Sequence, residues 1–88
     1  KCGKDGAIAA SNSQIMKCRL KENCGGGWAV GSGDAFFAGY LLSLAQNKCL
    51  RDCMIFANAC GISNTFVYGP CLFTRKEAEK HMADVIVM

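Results

Sequence analysis

The stretch VGSGDAFFAGY, residues 30–40, constrains this chain more than any other. Two glycines flank a serine, an aspartate follows at once, and an apolar run of helical character comes next. The run predicts a helix that opens at Ser32 or Gly33 and ends near Asn47. It carries Phe36, Phe37, Tyr40, Leu41, Leu42 and Leu44 around nearly its whole circumference. A helix apolar on all sides is buried on all sides, so the expectation is a central helix whose N-terminus opens at a glycine loop.

The flanking segments give that helix an α/β setting. AIAA at 7–10 and QIMKCRL at 14–20 read as two strands joined through SNS, a run of turn formers. Gln14, Met16, Cys18 and Leu20 share one face of the second strand, and Ile15, Lys17 and Arg19 share the other. Residues 21–33, KENCGGGWAVGSG, form a glycine-rich loop. A second helix is expected over 49–67, with an apolar stripe of Leu50, Cys53, Met54, Ala57, Cys60 and Gly61. YGP at 68–70 breaks it. Thr74 and Glu77 form a capping box for a third helix that runs to about Met82, and DVIVM at 84–88 reads as a closing strand. The order of hairpin, loop, buried helix, two helices and strand fits the tail of an α/β domain.

Composition bounds what such a chain can do. It is 51% hydrophobic with a single proline, which excludes disorder. For 88 residues that is rich, because a small domain leaves much of its surface exposed. The expectation is a piece of a larger domain. The net charge of +3 comes with no basic run interleaved with aromatics, which argues against nucleic-acid binding. No apolar run reaches the roughly 18 residues of a membrane span. The first residues, KCGKDGAIAAS, lack the core of a signal peptide.

Seven cysteines, at 2, 18, 24, 49, 53, 60 and 71, are an odd number and include no C-x-x-C pair, and His81 is the only histidine. No zinc site follows from that spacing. Cys49, Cys53 and Cys60 are spaced like small apolar residues on one helix face. Buried, reduced thiols and a cytoplasmic location are expected. A secreted scaffold stapled by disulfides is the competing reading.

The opening stretch also carries chemistry. A helix's first turn presents backbone N–H groups with no partner inside the helix, and their partial positive charge attracts an anion. Glycine lets a phosphate approach the backbone. Gly31, Ser32 and Gly33 can therefore cradle phosphate oxygens. Asp34 can take a proton from an alcohol that attacks the phosphorus held there. An acid in the first turn also stabilises any helix, so on these residues alone Asp34 reads first as a capping charge. No G-K-[ST] follows, so this is not the usual phosphate-binding loop of the nucleoside triphosphatases.

The same residues resemble the second signature of the ribokinase-like (pfkB) carbohydrate kinases, G-[AS]-G-D followed by small and aromatic residues and A-G. GKDGAIAAS is similar to that family's strand and turn before the signature. FANACGISNTFVYG is similar to its adenine-side helix, with Asn58 lying 24 residues after Asp34. CLFTRKEAEKHMADVIV resembles the closing helix and strand of the branch that includes 1-phosphofructokinase and tagatose-6-phosphate kinase. The resemblance spans nearly the whole chain. It implies the C-terminal, nucleotide-binding portion, residues 1–88, of a three-layer α/β/α ribokinase-like domain whose sugar-binding portion lies outside this chain.

It further implies an ATP- and Mg²⁺-dependent kinase acting on a sugar or sugar phosphate, with a homodimer left open and no nucleic acid or membrane as partner. Asp34 would be the base, and Gly31, Ser32 and Gly33 the anion hole. Gly3 and Gly6 would lie near the nucleotide phosphates or ribose. Asn58 would line the nucleotide pocket, and Gly61 would let the adenine approach. Trp28 and Ala29 depart from the family's usual Asp, Asn or Ser followed by Thr, Pro or Ser. Trp28 cannot hold a monovalent cation through its side chain, which puts cation activation in question. It also motivates the alternative of a non-catalytic nucleotide-binding relative or interaction module. The chain by itself is not expected to catalyse transfer.

Overall fold

Alternation in the first two segments fixes a hairpin. In the computed structural model, which describes residues 7–11, 14–21, 25–26, 31–66 and 73–87, strand β1 (Ala7–Ser11) pairs antiparallel with β2 (Gln14–Leu20). The register sets Ala7 against Cys18 and Ile8 against Lys17. Ala7, Met16 and Cys18 are buried while Ile8, Ile15, Lys17 and Arg19 are exposed. Period-two alternation thus gives the sheet one wet face and one dry face, as expected. The last strand, β3 (Val85–Val87), pairs antiparallel with the other edge of β2, Cys18 opposite Val87 and Leu20 opposite Val85. Strand order is β1-β2-β3.

Three helices complete the α/β arrangement: α1 (Ser32–Ala45), α2 (Leu50–Asn64) and α3 (Arg75–Lys80). Left-handed Asn47 stops α1, at φ 59°. Its N–H reaches the Leu44 carbonyl at 2.9 Å, and the Lys48 N–H reaches that of Ser43 at 3.0 Å. These two bonds satisfy carbonyls the helix would otherwise leave orphaned. At the start of α3 the expected capping box is present. Thr74 Oγ1 accepts from the Glu77 N–H at 3.2 Å, and the Thr74 N–H donates to Glu77 Oε1 at 3.1 Å. Instead of continuing to Met82, α3 tightens at His81–Asp84 into a 3₁₀ turn that leads into β3.

The core corrects the sequence in one respect: α2, not α1, is the helix buried all round. Every residue from Phe56 to Asn64 is buried, and so are Cys53 and Met54. One side of α2 packs Met54 and Ile62 on Ala7, Met16, Cys18 and Val85 of the sheet. The other packs Phe56 and Cys60 against Ala35 and Ala78. Helix α1 buries only Ala35, Gly39 and Ser43, a stripe of small residues four apart. Phe36 and Tyr40 are half-buried against the sheet-side core, while Phe37, Leu41, Leu42 and Leu44 are exposed, Phe37 at 61%.

Close approach explains that choice of face. A Cβ on Gly39 would lie 2.7 Å from Cys60 Sγ and 3.3 Å from the Ala57 Cα. The two helices meet nearly backbone to backbone, which only the small-residue stripe permits. Dispersion contacts grow steeply at such short range, so this face wins over the bulkier one.

Among the described cysteines, Cys18, Cys53 and Cys60 are buried, as expected. Cys49 is free but exposed, because it stands at the N-cap of α2 rather than on its packed face. No described helix is long and apolar enough to cross a membrane.

Candidate functional site

The N-terminus of α1 is built from the residues the sequence singles out. Gly31 is the N-cap and adopts a left-handed conformation, φ 85° and ψ −3°, without a side-chain cap. A residue bearing a Cβ would cost about 1–2 kcal/mol in that conformation. The first rung of the helix is the Ala35 N–H on the Gly31 carbonyl at 2.9 Å. The amides of Gly33 and Asp34 therefore precede the ladder, at the positive end of the helix dipole. Among the described residues nothing lies within 4 Å of where a Gly33 Cβ would be, so they leave the cradle open on that side.

Asp34 is exposed in this first turn, and its neighbour Ala35 is 1% exposed. The carboxylate is thus free to meet a substrate while its backbone is fastened to α2. That combination suits a base, which needs access and a fixed position at once.

The expected nucleotide-side residues divide. Gly61 comes to the cradle from α2. It is buried, and a Cβ on it would lie 3.5 Å from the Ser32 carbonyl oxygen and 3.9 Å from the Phe36 Cβ. Asn58 sits one turn earlier in α2 and is buried, with Nδ2 donating to the Met54 carbonyl at 2.8 Å. Its amide nitrogen is committed to its own helix. Gly3 and Gly6 lie outside the described residues, as do Trp28 and Ala29. Among the described residues no cluster of His, Cys, Asp or Glu could hold a metal ion.

Sequence reasoning missed two supports of the site. One is the Gly39 crossing, signalled only by the spacing of Ala35, Gly39 and Ser43. The other is Thr65, just past the end of α2, whose Oγ1 accepts the Gly26 N–H at 2.7 Å. No local pattern marks that bond, because its partners stand 39 residues apart.

Comparison with known proteins places this arrangement. The model of the pfkB family of carbohydrate kinases matches residues 1–76. The whole chain superposes with a TM-score of 0.87 and 28% identity on a crystal structure from Staphylococcus aureus assigned as a phosphofructokinase. It matches phosphofructokinase-2 from Escherichia coli in complex with potassium at a TM-score of 0.81 and 25% identity, over 92% of this chain. The same Escherichia coli enzyme in complex with substrates and products gives 0.80 and 25% over 92% of the chain. This chain spans 28% of the Staphylococcus aureus protein and 26% of the Escherichia coli one. Its α/β arrangement is therefore that of a fragment of the ribokinase-like phosphofructokinase fold, and the chain belongs to the pfkB family of carbohydrate kinases.

Proposed function

We propose that the chain supplies the base and the anion hole of an ATP-dependent kinase that phosphorylates a hydroxyl of a sugar or sugar phosphate. The observation that carries this reading is the start of α1: left-handed Gly31, open Gly33 and exposed Asp34 stand together on a helix pinned to α2. Asp34 takes the proton of the acceptor hydroxyl. The oxygen forms its bond to the γ-phosphorus as the bond to the β-phosphate oxygen breaks and ADP leaves. The amides around Gly31, Ser32 and Gly33 hold the charge on the transferred phosphoryl oxygens. Mg²⁺, when bound with ATP, neutralises phosphate charge. Gly3, Gly6, Asn58 and Gly61 are assigned to the nucleotide side. The names of the similar structures favour a phosphorylated hexose as acceptor.

The test is ATP consumption by the protein carrying this chain, with Mg²⁺, against a panel of sugars and sugar phosphates, with and without K⁺. Turnover of one acceptor is expected, and Asp34→Asn should lower kcat by about 10²–10⁴-fold, the usual worth of a general base. An Asp34→Asn protein with wild-type rates overturns the assignment. ATP binding without turnover of any acceptor favours the non-catalytic relative that Trp28 suggests. A rate independent of K⁺ matches the absence of a side-chain oxygen ligand at Trp28.

A further inference from the structure

The end of α2 reaches the glycine loop at two points. Gly61 meets the downstream end, at Ser32. Thr65, four residues on and so on the same side of the turn, meets the loop at Gly26. Its Oγ1 accepts the Gly26 N–H at 2.7 Å and donates to the Ile62 carbonyl at 2.5 Å. The hydroxyl thus uses both of its capacities, joining a carbonyl at the end of a helix to a loop amide. Contact between the backbones is equally close, since a Cβ on Gly26 would run into the Thr65 carbonyl.

Thr65 itself stands on a fixed base. Its own N–H is bonded to the Ile62 carbonyl at 2.9 Å. The next residue, Phe66, stacks on the His81 ring with centroids 5.1 Å apart and planes 10° from parallel. His81 Nδ1 lies 3.1 Å from Asp84 Oδ2, and the Asp84 carbonyl accepts the Lys21 N–H, where the same loop begins. Gly26 is therefore held from a rigid corner, five residues before the left-handed Gly31.

We propose that Thr65 is a positioning residue for phosphoryl transfer: its hydroxyl fixes Gly26, five residues ahead of Gly31 in sequence, and thereby restrains the placement of the Gly31–Asp34 cradle. This rests on the kinase reading above. Thr65→Val removes the hydroxyl at nearly constant shape, and Thr65→Ser keeps it. Both belong in the protein carrying this chain, with amide hydrogen exchange at Gly26, thermal unfolding, and kcat and KM for ATP measured on the acceptor found in the panel.

For Thr65→Val, Gly26 exchange should quicken by about tenfold or more as its local protection is lost. The kcat should fall by about 10- to 100-fold, the scale of a small misplacement of catalytic groups. KM for ATP and Tm should stay near wild type, and Thr65→Ser should restore exchange and kcat. Unchanged Gly26 exchange overturns the clamp. Faster exchange with unchanged kcat overturns its role in transfer. A loss of kcat that follows Tm and is not rescued by serine also overturns it. A wild-type protein that turns over no acceptor removes the kinase reading and this proposal together, whereas an active wild type with a normal Thr65→Val variant removes only this one.

Discussion

Helices α1 and α2 are near-equal in length, 14 and 15 residues, and lie against each other, yet they are buried in opposite proportion to their hydropathy. α1 carries two phenylalanines, a tyrosine and three leucines and leaves most of them exposed or half-exposed. α2 carries Asn58, Ser63 and Asn64 and buries all three. The difference lies in position. α2 is enclosed between the sheet and the α1–α3 side, so every face from Phe56 onward meets protein; Asn58 finds its partner inside, on the Met54 carbonyl, whereas the buried Ser63 hydroxyl has none among the described residues. α1 has one packed face, chosen for closeness rather than for apolar area. Even there the seam is incomplete, because an apolar cavity of about 210 Å³ opens beside Ala38, Leu42 and Phe73. A segment's hydropathy states how much cover it can use, and the surrounding layers decide how much it receives.

This contrast can be broken by substitution. The largest effect is expected at Met54, 1% exposed between α2 and the sheet. Met54→Ala should destabilise by about 2–5 kcal/mol, as buried large-to-small changes do. Phe37→Ala should cost far less despite the larger side chain. Denaturant unfolding of the two variants decides the matter, and equal losses would mean that the outer face of α1 is covered in the working protein.

Next comes the crossing point. Gly39→Ala should cost about 1–3 kcal/mol through overpacking against Cys60 and Ala57. A compensating gain from Cys60→Ala in the same chain would locate the strain in that contact, and strict additivity would place it elsewhere.

The smallest effect is a matter of thiol chemistry and reports how well α2 is sealed. Burial pushes the Cys53 thiol up, with Cys49 and Asp52 adding to the shift. Burial also raises Cys18 on β2, against a weaker opposing pull from Arg51. A thiol whose folded pKa lies above its unfolded one favours the fold while protonated. That contribution is complete below the unfolded value of about 8.5 and is lost as pH rises through the folded one. Among the described cysteines, alkylation at neutral pH should mark the exposed Cys49 before the buried Cys53 and Cys60, and stability should decline above about pH 9. Equal labelling of Cys49 and Cys53 would show that α2 opens readily.

Legibility followed the range of the physics. The hairpin, the capping box at Thr74 and Glu77 and the start of α1 could be read directly, because alternation, capping and left-handed glycine are local. The helix start that carries Gly31, Gly33 and Asp34 was equally legible, and the roles of anion hole and base proposed for it rest on helix-end electrostatics and on the resemblance of VGSGD to a known signature. The depth of α2 was not, since it depends on what lies on both sides of the helix at once. Nor was Thr65, whose partner in the loop is distant in sequence and whose residue type carries no special signal. Gly61 stood out as a place for adenine to approach, and the structure adds a contact with Ser32 that only packing could supply.

The pairing of β3 has a consequence in time. Val87 pairs with Cys18 from beyond all three helices in sequence, whereas β1 and β2 are separated by only two residues and α1 and α2 adjoin in sequence. During synthesis the hairpin and the helix pair can form early, while the free edge of β2 waits for residues 85–87 to emerge from the ribosome. The sheet is therefore completed after α1 and α2 have been made, and a nascent chain stalled before residue 85 would hold the helix pair with one strand edge still open to other chains.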